Sequence, residues 1–399
     1  MKNSAHIICL CVAAAGFLCL LRDLPVRRKD PASTALASVF LLSAGSFFLA
    51  LVSTGKYLDR LLGTANLSVP LSQACVLGLL ACQQVVLTHW GSPPEVARRM
   101  SRRWLITGGA AITTLWLVFL LFSPTVQRLR DFTLYYSPDN GHAVYLTVYC
   151  TAYTLGELAL AHACWRLARR STRASVRVGL RFVTVGALVT LGSSAVRLGN
   201  VAASKFGSSF ESWETLAWIC GDGGALLTLV GWLIPTGADH AERLRRWTRQ
   251  HRAYRGLRPL WLAYYADAPE LAFPVDRSDR RYFTRIALRL YRRTIEIHDG
   301  NRRILPFLDA EVREAGEARH RAAGLTGDDL LAAVTADQIR AGIIARAQGI
   351  HPARTVDLAD TERRLSRPTD DDDALLAVAW HLHRTAARAD AEAVRMATG

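Results

Sequence analysis

The sequence predicts an all-α protein: a seven-span transmembrane helix bundle, N-terminus outside and C-terminus inside, followed by a small helical cytoplasmic domain. Three observations predict it. Seven apolar stretches follow one another within residues 1–235. Charge is split unevenly, with 21 Lys+Arg and 10 Asp+Glu in residues 1–235 against 28 and 24 in residues 236–399. The basic residues between the apolar stretches also gather in alternate loops. Over 399 residues, 50% hydrophobic and 21% charged content with a mean hydropathy of +0.13 excludes disordered, collagen-like and small disulfide-stapled chains.

A helix needs about 20 mostly apolar residues to cross the hydrocarbon core. The stretches that qualify are Ala5–Leu21, Ala35–Ser53, Pro70–Trp90, Trp104–Ser123, Ala143–Trp165, Val178–Leu198 and Thr215–Ile234. Charges or turn residues bound each one, as in Arg22-Asp23-Leu24-Pro25 and Gly91-Ser92-Pro93-Pro94. Lys2 ahead of the first run also suits a signal peptide. The cluster Arg22, Arg27, Arg28 and Lys29 that follows argues for a retained span. The domains are thus expected at 1–235 and 236–399.

Orientation follows from loop Lys and Arg. The first, third and fifth loops hold Arg22, Arg27, Arg28, Lys29; Arg98, Arg99, Arg102, Arg103; and Arg166, Arg169, Arg170, Arg173, Arg177. The N-terminus and the even loops hold only Lys2, Lys56, Arg60, Arg128, Arg130 and Lys205. That bias puts the C-terminal domain in the cytoplasm and the chain in the plasma membrane. It also explains the net charge of +15 without nucleic acid, which is not an expected partner. Trp90, Trp104, Trp165 and Trp213 sit at span ends, where indoles favour the interface. All eight cysteines (Cys9, Cys11, Cys19, Cys75, Cys82, Cys150, Cys164, Cys220) lie inside spans. No zinc-type Cys/His spacing occurs, so no metal or other cofactor is expected.

Ionisable residues inside spans are costly and therefore candidate sites. Glu157 lies in span five, Asp222 in span seven within Gly221-Asp222-Gly223-Gly224, and Arg181 and Arg197 near the two ends of span six. By depth, Arg197 suits Asp222 and Arg181 suits Glu157, giving two structural ion pairs. Alternatively Asp222 or Glu157 takes up a proton, cation or substrate amine. The glycines around Asp222 either interrupt the helix, as in transporter sites, or let two helices approach closely. His89 and His162, near span ends, read as interfacial.

Beyond Pro235 the chain turns polar. Residues Trp247–Tyr265 are basic and aromatic, and such a stretch after a final span commonly lies along headgroups. Helical periodicity continues over Asp279–His298, Pro306–Ala323, Asp328–Gln348 and Asp373–Met396, with a polar linker at His351–Thr369 setting the closing helix apart. Phe283, Ile286 and Leu290 share a face of the first of these and form a candidate partner-binding surface. The run Asp370-Asp371-Asp372-Asp373 lacks the spacing of a calcium loop and suits a helix N-terminus. His381 and His383 are two apart, which excludes the i, i+4 zinc pairing. No phosphate-binding Gly loop, GxSxG or kinase signature is present, so no enzymatic activity is expected.

Four features carry a family resemblance: Arg22-Asp23-Leu24 after span one; Leu233-Ile234-Pro235 closing span seven; Tyr254-Arg255-Gly256-Leu257-Arg258-Pro259-Leu260-Trp261; and Leu290-Tyr291-Arg292-Arg293-Thr294-Ile295-Glu296-Ile297-His298-Asp299-Gly300. In this the chain resembles a family of actinobacterial multi-span membrane proteins, described as transporters, with a cytoplasmic C-terminal domain of unknown function. A usage of 45 Arg against 4 Lys fits a GC-rich genome. His298 stands where such proteins are expected to have Arg, and the resemblance transfers no site residue.

Two functions remain open. A membrane sensor or scaffold would recruit a protein partner through its helical cytoplasmic domain. A secondary transporter of a small solute would use Asp222 or Glu157. The apparent scarcity of polar residues within the spans favours the first.

Overall fold

The computed structural model describes residues 2–27, 30–129, 132–136, 139–204, 213–267, 269, 286–361, 363 and 373–384. The described residues are almost entirely helical, with one isolated β-bridge, between Asp309 and Thr355. They form two compact units, Met1–Asp239 and His240–Gly399.

The first unit is built from α1 (Lys2–Arg27), α2 (Pro31–Leu49), α3 (Val52–Leu62), α4 (Ser68–Gly91), α5 (Pro94–Phe122), the single turn α6 (Phe132–Tyr135), α7 (Asn140–Arg170), α8 (Ala174–Ser204) and the start of α9 (Glu214–Gly256). Six of these, α2, α4, α5, α7, α8 and α9, are long and apolar enough to cross a bilayer. The chain is a multi-pass membrane protein. In α1 the described apolar segment is the shorter Ala5–Leu21. The helix is nonetheless packed into the bundle: Cys9 and Ala13 are buried, and a Cβ at Gly16 would lie 2.5 Å from the Phe40 ring. Toward the end of α5 the outward side chains are apolar, Leu117, Leu120 and Leu121 being 57%, 63% and 85% exposed, as a lipid-facing surface requires.

Helix starts follow local chemistry. Asp30 caps α2 by accepting from Ala32 N at 3.1 Å, with Pro31 at the first helical position. Asp139 caps α7 through Gly141 N and His142 N at 2.7 and 3.1 Å.

Two span boundaries differ from those expected. The second span was expected to reach Ser53, but α2 stops at Leu49. Leu51 is extended, and amphipathic α3 then carries Lys56, Asp59 and Arg60. Asp59 explains the break. Its carboxylate accepts from Asn66 N, Leu67 N and Gln127 Nε2 at 2.9, 3.0 and 2.7 Å, while Asn66 Nδ2 donates to Val126 O at 2.8 Å. These bonds clasp the 63–67 and 123–128 loops together at one end of the bundle.

The seventh span was expected to end before Pro235, yet α9 runs through that proline. Pro235 has no N–H for the Gly231 carbonyl. That carbonyl meets α8 instead: a Cβ at Gly179 would lie 2.6 Å from Gly231 O and 2.9 Å from Pro235 Cδ. A neighbouring backbone thus covers the freed group, as membrane interiors demand. The same crossing continues at Gly186 and Gly224, where a Cβ on either would lie 2.7 Å from the other's carbonyl oxygen.

The second unit contains the end of α9, α10 (Arg258–Asp267), α11 (Ile286–Ile304), a 3₁₀ turn (Leu305–Phe307), α12 (Ala310–Ala322), α13 (Gly327–Gln348) and helical residues 373–384. Its core gathers Leu257, Leu260, Tyr264, Leu290, Ile297, Ile304, Ile339, Leu375 and Val378. Three expectations change. The Trp247–Tyr265 segment contributes Ala253, Leu257, Leu260 and Tyr264 to this core rather than lying free for headgroups. The stretch from His351, expected to be a linker, is pinned as far as it is described. Ala310 N donates to Arg354 O at 3.0 Å, Ala359 N to Gln338 Oε1 at 2.8 Å and Gln338 Nε2 to Asp357 O at 3.1 Å. The closing helix is therefore part of the same core, through Leu375, Val378, Ala379 and Leu382.

Candidate functional site

The polar side chains of the spans converge. A cavity of about 210 Å3 is lined by residues of α1, α2, α4, α7, α8 and α9, including His6, Ser46, Ser72, Gln73, Tyr149, Arg197, Trp218 and Asp222. A second, of about 140 Å3, is lined by Ser43, Gln83, Tyr149, Tyr153, Glu157, Thr190, Ser193, Ser194, Arg197 and Thr228 among others. Ser46, Phe47, Val76, Tyr149, Arg197 and Gly221 line both. Along α4 the lining runs from Ser68 to Gln83, about 22 Å at 1.5 Å per residue. The first chamber lies at the end carrying the Asp59–Asn66 clasp, since Leu49, Ala50, Leu51, Ser68 and Leu129 border it. The second lies deeper along the helices.

Neither expected ion pair forms. Asp222, 9% exposed, is held by His6, whose Nδ1 is 2.9 Å from Asp222 Oδ2. Because a carboxylate only accepts, His6 supplies the proton at Nδ1. Rings fix the imidazole edge-on, Phe47 at 5.4 Å and Trp218 at 5.3 Å between centroids. Arg197 sits 6.0 Å from the centre of the Trp218 ring, with no carboxylate within 4.0 Å among the described residues. It lines both chambers, whereas Asp222 lines only the first and Glu157 only the second. Arg181 is exposed and does not pair with Glu157.

Glu157 is 6% exposed, and its Oε2 has no hydrogen-bond partner. Gln83 Oε1, on the same cavity wall, has none either. Tyr153 stacks on Tyr149 at 5.8 Å beside them. Other wall groups are bonded to one another or to their neighbours: Ser72 Oγ donates to Ser46 O at 3.0 Å and Tyr145 OH to Gln73 Oε1. Buried polar groups are ordinarily paired, so two orphans on one cavity mark the place where something else supplies the partner.

The glycines beside Asp222 do not interrupt α9. Gly224 is the close-approach residue, Gly221 is near Ser193, and a Cβ at Gly223 would meet nothing within 4 Å. His162 is exposed, and His89 is half-buried in a separate groove with Arg98 and Arg102. Among the described residues, no three His, Cys, Asp or Glu side chains converge as metal ligands.

In the second unit the candidate partner face is described only in part. Leu290 is in the core at 7% exposure, Ile286 is half-buried and Phe283 lies outside the described residues, as do Asp370, Asp371 and Asp372. Several buried or half-buried polar groups here are bonded within the unit. Trp261 Nε1 donates to Glu296 Oε2 at 2.6 Å and Arg292 Nε to Glu296 Oε1 at 3.1 Å. The Arg293 guanidinium lies over the Tyr254 ring at 3.7 Å and donates to Tyr254 O. His320 and His381 contact Asp337 and Asp329 at 2.7 and 2.8 Å.

Residues 246–385 match a family of unknown function (DUF6545). No curated protein matches the chain, and no solved structure does. The matched region holds both Tyr254–Trp261 and Leu290–Gly300. The structure shows why they go together: Tyr254 and Trp261 take Arg293 and Glu296 as partners, and Gly300 leaves room for the Tyr264 ring, which a Cβ would approach to 2.5 Å. These stretches are the two halves of one packed interface in the second unit.

Sequence reasoning missed His6, though it lies within the Ala5–Leu21 span and was available as an intramembrane ionisable group. It also underrated the serines, threonines and tyrosines. They are thinly spread along the spans and become a site only when the helices turn them to a common interior.

Proposed function

We propose that the chain is a seven-span plasma-membrane receptor, with α1 as the seventh span, N-terminus outside and C-terminal unit in the cytoplasm. Its bundle binds a small zwitterionic solute and its C-terminal unit passes the state on to a protein partner. The reading is non-catalytic. The observation that carries it is the interior cavity pair holding a guanidinium, Arg197, shared between two chambers, with carboxylates at Asp222 and Glu157 and unpartnered oxygens at Glu157 and Gln83. A guanidinium recognises a carboxylate, and a carboxyl oxygen without a partner accepts from an ammonium. A cavity of this size holds a molecule of a few heavy atoms, such as an amino acid or a betaine. The orientation rests on the basic loops, which place the Asp59–Asn66 end and the first chamber outside.

The test is thermal unfolding of the full chain in nanodiscs against a panel of the common amino acids and small betaines. A ligand binding only the folded state at a hundredfold excess over its Kd stabilises by about 2.7 kcal/mol. At least one compound is expected to raise the midpoint, and Arg197→Gln to abolish the rise. A panel with no active member would overturn the reading.

A transporter of the same solute is favoured by one observation, the unpaired Glu157 oxygen deep in the bundle, where a coupling proton or cation would sit. Counterflow of the active compound in proteoliposomes separates the two: saturable exchange identifies transport, and binding without exchange identifies a receptor.

A further inference from the structure

A second site lies on the first unit, at the end opposite the Asp59–Asn66 clasp. The beginnings of α2 and α5 and the end of α4 enclose a groove of about 710 Å3. Its polar lip is Arg98, Arg102 and His89, and its lower flank is apolar, through Val85, Leu105 and Ile106. Leu105 and Ile106 are 52% and 60% exposed. Among the described residues neither arginine has a carboxylate within 4.0 Å, although Asp30 lies on the adjoining helix start. Asp30 is occupied by Ala32 N and by Ser33 Oγ, at 3.1 and 2.6 Å.

The groove also contains an orphan. Ser101 is 7% exposed, lines the groove, and its Oγ has no hydrogen-bond partner. A buried hydroxyl in a helix normally bonds the carbonyl one turn back. This one is left for an acceptor from outside. Two unpaired guanidiniums, an imidazole and a free hydroxyl above an apolar wall match an anionic phosphodiester with attached acyl chains.

We propose that this groove binds one anionic glycerophospholipid, its phosphate held by Arg98, Arg102 and Ser101 and an acyl chain lying along Leu105 and Ile106. The inference is independent of the solute-receptor reading and of which side faces the cytoplasm.

Arg99 and Arg103 provide an internal control. They are on the same turns of α5, exposed, and outside the groove. The experiment titrates full-length protein, in phosphatidylcholine nanodiscs, with fluorescent phosphatidylglycerol. The paired variants are Arg98→Gln/Arg102→Gln and Arg99→Gln/Arg103→Gln, both checked for wild-type elution. The groove pair is expected to weaken binding at least about tenfold and the outer pair less than about threefold. Ser101→Ala should weaken it measurably with both arginines present. Equal losses from the two pairs would show general surface charge and overturn the proposal. Displacement of the probe by millimolar inorganic phosphate would show a free-phosphate site and overturn it too, as would binding that never saturates.

Discussion

Glu157 in the membrane unit and Glu296 in the C-terminal unit are equally buried, each 6% exposed. Their surroundings are opposite. Glu296 is met by the Trp261 indole and the Arg292 guanidinium, one on each oxygen. Glu157 keeps an oxygen with no partner, on the wall of a cavity that also holds Arg197 and the unpartnered Gln83 carbonyl. The contrast extends to the two units. The C-terminal unit bonds Glu296, Gln338 and Asn301 to side chains and backbone of its own. The membrane unit packs its helices as tightly, backbone against backbone at Gly186 and Gly224, yet leaves polar groups open around an interior space. Burial alone does not mark a site. Burial without a partner, beside a cavity, does.

The largest expected effect tests the packing of the membrane unit. Gly224→Val would bring a Cβ to 2.4 Å from Thr190 Cγ2 and 2.7 Å from Gly186 O. It should cost about 3 kcal/mol and abolish a monodisperse elution profile. Gly223→Val, one residue away with nothing within 4 Å, should leave elution unchanged. If both variants fail alike, the close α8–α9 crossing is wrong.

Next comes the glutamate of the C-terminal unit. Glu296→Gln removes the charge that Arg292 and Trp261 address and should destabilise by about 2 kcal/mol, read from the denaturant midpoint. Gly300→Ala, which forces the Tyr264 ring aside, should cost about 1–2 kcal/mol in the same assay. A neutral result for both would mean that this interface does not hold the unit together.

Smaller effects sharpen the membrane side. His6→Ala removes the partner of Asp222 and should cost about 1 kcal/mol. The charge swap Arg197→Asp with Asp222→Arg should not restore what Asp222→Asn loses, because the two side chains are not paired. Recovery in the swap would reinstate an Arg197–Asp222 bridge. The smallest change is expected for His381→Ala, whose partner Asp329 has a 63% exposed side chain: about 0.5 kcal/mol or less.

The spans were legible because twenty apolar residues in a row have one physical use: α4, α7 and α8 enclose the stretches expected for them, and α5 all of its stretch but Ser123. Boundaries failed where tertiary contacts decide. Pro235 reads as a helix end until Gly179 is seen covering the carbonyl it frees. Leu290 reads as one face of an amphipathic helix, and periodicity cannot say whether that face meets a partner or its own core. Glu157, Arg197 and Asp222 were legible as costly residues, but their partners were not. Depth along a span suggests who could meet, while rotation about each helix axis decides who does. That rotation put His6, 216 positions away, against Asp222. It also turned single serines and tyrosines from several helices into one lining.

The most direct test compares the two glutamates side by side. Unfolding midpoints of the full chain, Glu157→Gln and Glu296→Gln would be measured in nanodiscs with and without the panel of amino acids and betaines. Glu157→Gln should keep the wild-type midpoint within about 1 kcal/mol and lose the ligand-induced rise, while Glu296→Gln should lower the midpoint and keep the rise. Glu157→Gln falling as far as Glu296→Gln, or responding to ligand like the wild type, would contradict the account.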